Sequence, residues 1–119
     1  METRSDAPSL EAYGLSLPGT NASCPFGDEV LVLKLLDKMF ALLTIGSPQP
    51  AISLKCDPML AGDLRRDYPA VKPGYHLNKQ HWNTVTLDGS IPDAELKRWI
   101  VHSYELIKKK LPKATRETL

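Results

Sequence analysis

Residues 73–89 read Pro73-Gly74-Tyr75-His76-Leu77-Asn78-Lys79-Gln80-His81-Trp82-Asn83-Thr84-Val85-Thr86-Leu87-Asp88-Gly89. A turn pair opens the stretch and another, Asp88-Gly89, closes it. Between them the chain changes character. A polar loop carrying two of the three histidines gives way at Trp82 to strict alternation. Val85 and Leu87 fall on one face of a strand, and Trp82, Thr84 and Thr86 on the other. This is the densest run of groups able to stack, hydrogen-bond and carry charge, so part of any recognition is expected here.

Upstream, Ala51 to Cys56 alternates in the same way, with Ile52, Leu54 and Cys56 facing inward and Ser53 and Lys55 outward. Two seven-residue apolar runs, 30–36 and 39–45, flank Asp37-Lys38 and are nearly apolar on both faces. Their Leu, Lys and Met content would also suit a helix. Length and the β-branched start favour a hairpin. A short strand is expected over 21–26. Three helices complete the pattern: one over 9–15 capped by Ser9, one begun by Asp57-Pro58 and one begun by Pro92-Asp93. The second buries Leu60, Ala61 and Leu64, and its last turn holds Arg65 and Arg66. The third carries Leu96, Trp99, Ile100, Tyr104, Ile107 and Leu111 on one stripe. The expected order is α-β-β-β-β-α-β-α, an α+β domain with an antiparallel sheet and the helices packed on one face.

Composition sets the frame. At 119 residues, 42% hydrophobic and 24% charged, the chain suits one soluble domain with a single core. The domain is expected to span 1–119, with loosely ordered tails at 1–8 and 113–119. No apolar run reaches the roughly 18 residues that a spanning helix needs, and the N-terminus lacks the pattern of a signal peptide. The expectation is a cytoplasmic protein without a membrane partner. Cys24 and Cys56 are in no C-x-x-C spacing and read as free, partly buried thiols.

Net charge is +1. Residues 1–54 carry three basic and six acidic side chains, and residues 55–119 carry twelve and eight. A mildly basic second half is compatible with nucleic acid but is also what a solvated surface looks like.

Several segments together resemble the MmcQ/YjbR family. They are Leu17-Pro18-Gly19, Pro25-Phe26-Gly27-Asp28, Lys38-Met39-Phe40-Ala41-Leu42-Leu43, Leu54-Lys55-Cys56-Asp57-Pro58, Tyr75-His76-Leu77-Asn78-Lys79-Gln80-His81-Trp82, Leu87-Asp88-Gly89 and Ser103-Tyr104-Glu105-Leu106. The match runs from about Ser9 to Pro112, and the Tyr-His-Leu-Asn-Lys-x-His-Trp segment is its most specific part. The resemblance implies a bacterial protein with a frataxin-like (CyaY-like) fold. It also implies DNA binding through a saddle-shaped sheet described as a double wing.

On that basis DNA is the expected partner, reached through the open sheet face and the 73–82 loop. Lys38, Lys55 and Lys79 are expected at phosphates, with Tyr75, His76, Asn78, His81 and Trp82 completing the contact surface. Trp82 has a plainer reading as a packing residue at the strand's start, because tryptophan is usually well buried. His76 and His81 read as hydrogen-bonded structural histidines, and His102 as a surface residue. No cofactor or metal site is expected, since no Cys/His pair or carboxylate stands at ligand spacing. No catalytic motif occurs, and a non-enzymatic protein is expected. The alternative is a binding module for a protein or a small molecule, with the same loop as its lip.

Overall fold

The computed structural model describes residues 6–45, 49–74 and 77–119. Helix α1 (Ala7–Leu15) leads into strands β1 (Thr20–Ser23), β2 (Val30–Leu35), β3 (Lys38–Thr44) and β4 (Ala51–Lys55). Then follow α2 (Pro58–Asp67), β5 (Val71–Pro73), β6 (Trp82–Thr86), α3 (Asp93–Lys109) and the single-turn α4 (Lys113–Arg116). The six strands form one sheet in the order β1-β2-β3-β4-β6-β5, every neighbouring pair antiparallel. The fold is the expected α+β arrangement, with β5 and α4 as short additions to the order read from the sequence.

The helices share one face of the sheet because the sheet's apolar alternation points there. Leu31, Leu33 and Leu35 of β2, Ala41 and Leu43 of β3, Ile52 and Leu54 of β4 and Val85 of β6 meet Leu10 and the α3 stripe in one core. On α3 the buried residues are Leu96, Trp99, Ile100, Ser103, Tyr104 and Ile107, the predicted stripe with Ser103 added. Edge-to-face rings join the layers, Phe40 to Tyr104 at 5.7 Å and Tyr68 to Trp99 at 5.2 Å. Such pairs contribute about 0.5–1.5 kcal/mol beyond their area burial.

The structure corrects several local expectations. Asp6, not Ser9, caps α1: its carboxylate accepts from the Ser9 N–H at 2.9 Å, and the helix starts two residues early at Ala7. Residues 6–8 are therefore part of the fold, and Ala7 is buried. The C-terminal residues do not trail away either. The α4 turn brings Leu119 back against the core, where it packs beside Gly19 and Leu35. The β2–β3 hairpin closes through Leu36 and Asp37, with Lys38 already paired to Leu35. Leu36 supplies the positive φ (56°) that glycine would ordinarily supply in so tight a loop.

One irregularity shapes the centre of the sheet. Between β2 and β3 the register shifts, so that Leu33 faces Ala41 and Lys34 faces Met39, leaving Phe40 as the extra residue of a bulge. Phe40 turns into the core on the helix side and is fully buried.

Candidate functional site

Among the described residues, no helix or strand layer packs on the face of the sheet opposite the helices, although Val32 and Trp82 on that face are buried. Its floor follows from pleat alternation: the residues that do not point to the core point here. On β2 these are Val30, Val32 and Lys34; on β3, Met39, Leu42 and Thr44; on β4, Ala51, Ser53 and Lys55; on β6, Trp82, Thr84 and Thr86. An antiparallel sheet with one free face normally carries polar residues on it. Here the centre is apolar, and two loops rise beside it. The β1–β2 loop contributes Phe26, whose side chain is 69% exposed, and the loop before β6 contributes Leu77. Between them lies a groove of about 660 Å³, with Val30, Met39, Leu42 and Ala51 on its floor. Its polar feature is a hydroxyl pair, Ser53 Oγ to Thr84 Oγ1 at 2.8 Å, which spans β4 and β6.

Asp28 and Glu29 precede Val30 in the chain, and the Glu29 carbonyl accepts from Ile45 N–H at 2.8 Å, which joins the start of β2 to the end of β3. Outside the groove lining, Lys34 pairs with Met39 across the β2–β3 ladder, and Lys55 ends β4 two residues past Ser53. Lys55 meets the side chain of Lys110, which follows α3. That contact, then burial and the repulsion between the two charges, push the Lys55 ammonium down to about 8. Among the described residues neither Lys34, Lys55 nor Lys110 takes part in an ion pair.

The predicted site residues separate into three groups. Tyr75 and His76 lie outside the described residues. Asn78, Lys79, His81 and Trp82 are engaged in building the loop. Asn78 Oδ1 accepts from the N–H of Gln80 at 2.9 Å and of His81 at 3.3 Å. Lys79 Nζ donates to the Gly74 carbonyl at 3.3 Å. The His81 carbonyl accepts from Cys56 N–H at 2.7 Å, so its backbone continues the ladder below Lys55. Trp82 is 9% exposed and pairs with Lys55. Its packing reading is the one the structure fits, although alternation does assign it to the open face. Lys38 belongs elsewhere, because its pairing with the core residue Leu35 assigns it to the helix-bearing side. None of the six described site residues is among those that line the groove.

Sequence reasoning missed two contributors. Arg65, in the last turn of α2 as expected, also reaches across to the start of β6. Its guanidinium donates to Asn83 Oδ1 at 2.6 Å, to the Trp82 carbonyl at 3.2 Å and to the Lys79 carbonyl. Asn83, itself buried, donates in turn to the Ala61 carbonyl at 3.3 Å. This chain of bonds pins the start of β6 and the preceding loop to α2. His102 is half-buried rather than a surface residue, and its Nε2 accepts from the Asp57 N–H at 3.2 Å. The groove residues Phe26, Met39, Leu42 and Leu77 were passed over as ordinary apolar positions. Their signal was present in the sequence: hairpin strands apolar on both faces need cover on both.

No group of three His, Cys, Asp or Glu side chains able to hold a metal ion occurs among the described residues. Both cysteines are free. Cys56 is buried, and burial, reinforced by the neighbouring Asp57 carboxylate, pushes its thiol up to about 11. Cys24 is exposed in the β1–β2 loop, against the partly buried position expected. No helix among the described residues is long and apolar enough to cross a membrane.

Comparison with known proteins gives a consistent result. YjbR of Escherichia coli strain K12 is 37% identical over 110 residues, which cover 92% of this chain and 93% of that protein. YbdF of Escherichia coli O157:H7 is 36% identical over 107 residues, covering 90% and 88%. Among solved structures, a Deinococcus radiodurans protein superposes with a TM-score of 0.90 at 40% identity, covering 99% of this chain and 91% of that one. A Pseudomonas syringae protein superposes at 0.74 with 30% identity, covering 86% and 98%. The YjbR family pattern matches residues 15–106. By sequence, and by a shared fold over nearly its whole length, this chain belongs to the YjbR family.

Proposed function

We propose that the protein is a non-enzymatic binding module that takes an apolar ligand in the groove on its open sheet face. The observation that carries this reading is the groove itself, about 660 Å³ between Phe26 and Leu77. That volume is within the roughly 300–1,000 Å³ typical of small-molecule sites. Its composition also fits such a site: a largely apolar floor with one placed polar pair, Ser53 and Thr84. Leaving Val30, Met39, Leu42 and Phe26 in water forgoes burial of about 25 cal/mol per Å², and a ligand recovers part of it. Two free thiols suit a reducing compartment and support action in the cytoplasm.

A neutral fluorescent probe, N-phenylnaphthylamine, tests the reading directly. It is expected to bind at one site with increased emission. Ala51→Trp, which places an indole on the groove floor, is expected to abolish that binding without unfolding the domain. Binding that survives Ala51→Trp refutes the reading.

DNA on the same face is the second reading. It is favoured by the family resemblance and by Lys34 and Lys55, which pleat alternation assigns to the open face. The apolar floor of the groove suits a polyphosphate chain less well. If three lysines contact phosphates, duplex affinity falls with a log–log salt slope of about −3. A duplex that gives no shift at low salt eliminates this reading.

A further inference from the structure

We infer that the groove selects an uncharged aromatic ligand carrying one hydroxyl, its rings over the β2–β3 side of the floor and its hydroxyl at the Ser53–Thr84 pair. The inference rests on the groove being a ligand site and adds the chemical class of the ligand and the way it lies.

The register divides the floor. Leu42 on β3 pairs with Ser53 on β4, and Ser53 pairs with Thr84 on β6, so one row across the sheet passes from an apolar side chain to two hydroxyls. All three residues line the groove. In the neighbouring row Thr44 pairs with Val30 and Ala51, a single hydroxyl between two apolar side chains. Val30 on β2 and Met39 on β3 extend the apolar side. From Leu42 to Thr84 the row crosses two strand spacings of about 4.8 Å each. A ligand that covers both sides therefore lies across the strands, apolar toward β2 and polar toward β6.

The polar side is neutral and has bonding capacity left. Ser53 Oγ and Thr84 Oγ1 meet at 2.8 Å. A hydroxyl has one proton and two lone pairs, and this contact uses one of the three on Ser53. Whichever partner donates, Ser53 keeps a lone pair and can accept from a ligand hydroxyl. Ser53 is half-buried, so that capacity is open to the groove. A carboxylate has no proton to give, and hydroxyls supply no counter-charge to offset its transfer out of water.

The apolar side suits rings. Phe26, largely exposed on one wall, presents a face and an edge against which a second ring can pack. Met39 adds a thioether to the floor, and such sulfurs make favourable contacts with aromatic rings. Leu77 closes the other wall.

Displacement of N-phenylnaphthylamine by three compounds with one shared body supplies the test: 4-phenylphenol, 4-methylbiphenyl and biphenyl-4-carboxylate. 4-Phenylphenol is expected to displace the probe at a concentration about tenfold or more below that of the carboxylate. In the Ser53→Ala/Thr84→Val double variant it is expected to weaken about fivefold, as loss of one ordinary hydrogen bond implies, while 4-methylbiphenyl and the probe bind as before. Ser53→Ala alone is expected to reproduce most of that loss and replaces the double variant should the latter fail to fold. Phe26→Leu keeps an apolar wall without its ring and is expected to weaken both neutral biphenyls about threefold. The inference is overturned, and the groove reading left standing, by a carboxylate that displaces as well as the phenol or by Phe26→Leu without effect. A Ser53→Ala loss that is absent, or equal for both neutral biphenyls, overturns it too. A probe that fails to bind the unaltered protein overturns both readings.

Discussion

The Ser103 hydroxyl, carried on α3, takes the place of a missing rung between β3 and β4: it donates to the Phe40 carbonyl at 2.6 Å and accepts from the Lys55 N–H at 3.0 Å. Paired residues on these strands end at Ala41 and Leu54, because Phe40 is the bulged residue. The next carbonyl and N–H, those of Phe40 and Lys55, are then left for Ser103 to satisfy. A buried backbone group without a partner costs about 1–3 kcal/mol. Ser103→Ala removes both bonds at once and is expected to lower unfolding stability by about 2–3 kcal/mol, measured by urea denaturation. A loss below about 0.5 kcal/mol would mean that water enters and repairs the gap.

Much of this architecture was legible because it rests on local periodicity. Ile52 and Leu54 alternate with Ser53 and Lys55, the α3 stripe recurs at helical spacing, and Asp57-Pro58 announces a helix start. Each is a pattern within a dozen residues. Arg65 was not legible, because its three acceptors lie 14 to 18 residues away and nothing in their sequence marks them as its partners. The role of Ser103 was not legible for the same reason: a serine beside an apolar stripe gives no sign of a strand bulge 63 residues earlier. The groove is an intermediate case. Val30, Val32, Met39 and Leu42 were seen to make their strands apolar on both faces, but only the register shows that one of those faces receives no helix.

Arg65 connects stability to the groove. By pinning Lys79, Trp82 and Asn83 it fixes the loop that carries Leu77, one of the groove's two walls. Lysine keeps the charge but cannot reach three acceptors from one planar fork. Arg65→Lys is expected to cost about 2–3 kcal/mol in urea denaturation, as for loss of charge-assisted bonds, and to weaken N-phenylnaphthylamine binding several-fold. A double-mutant cycle with Asn83→Ala isolates the bond between them, with an expected coupling of about 1–2 kcal/mol. Additive effects would show that Arg65 acts through the carbonyls alone.

Gly74 tests the packing reading of Trp82. A Cβ placed on Gly74 would stand 2.7 Å from the Trp82 Cβ and 3.0 Å from its carbonyl oxygen. The backbone there cannot withdraw freely, because the Gly74 N–H donates to that same carbonyl at 2.8 Å. Glycine is thus required by close approach of two strands. Gly74→Ala is expected to destabilise by about 1–3 kcal/mol, in the range of overpacking, with the Trp82 emission shifting to longer wavelength as the ring becomes more exposed. Unchanged stability and emission would place Trp82 looser than the structure has it.

The contact between Lys55 and Lys110 gives stability a pH dependence of a definite sign. Lys55 in the folded protein titrates near 8, against 10.5 for its ordinary value, so between those values the unfolded chain holds a proton that the folded one has lost. Unfolding then takes up a proton, and stability rises with pH across the window from about 8 to 10.5. Below it both states are protonated and this group contributes no slope. Solvent screens the pair, so the gain is expected to be small, visible as a rise in urea midpoint between pH 8 and pH 10. Lys110→Gln removes the repulsion and is expected to flatten the profile while raising stability at pH 7. A steep rise that survives in Lys110→Gln would assign the titration to another group.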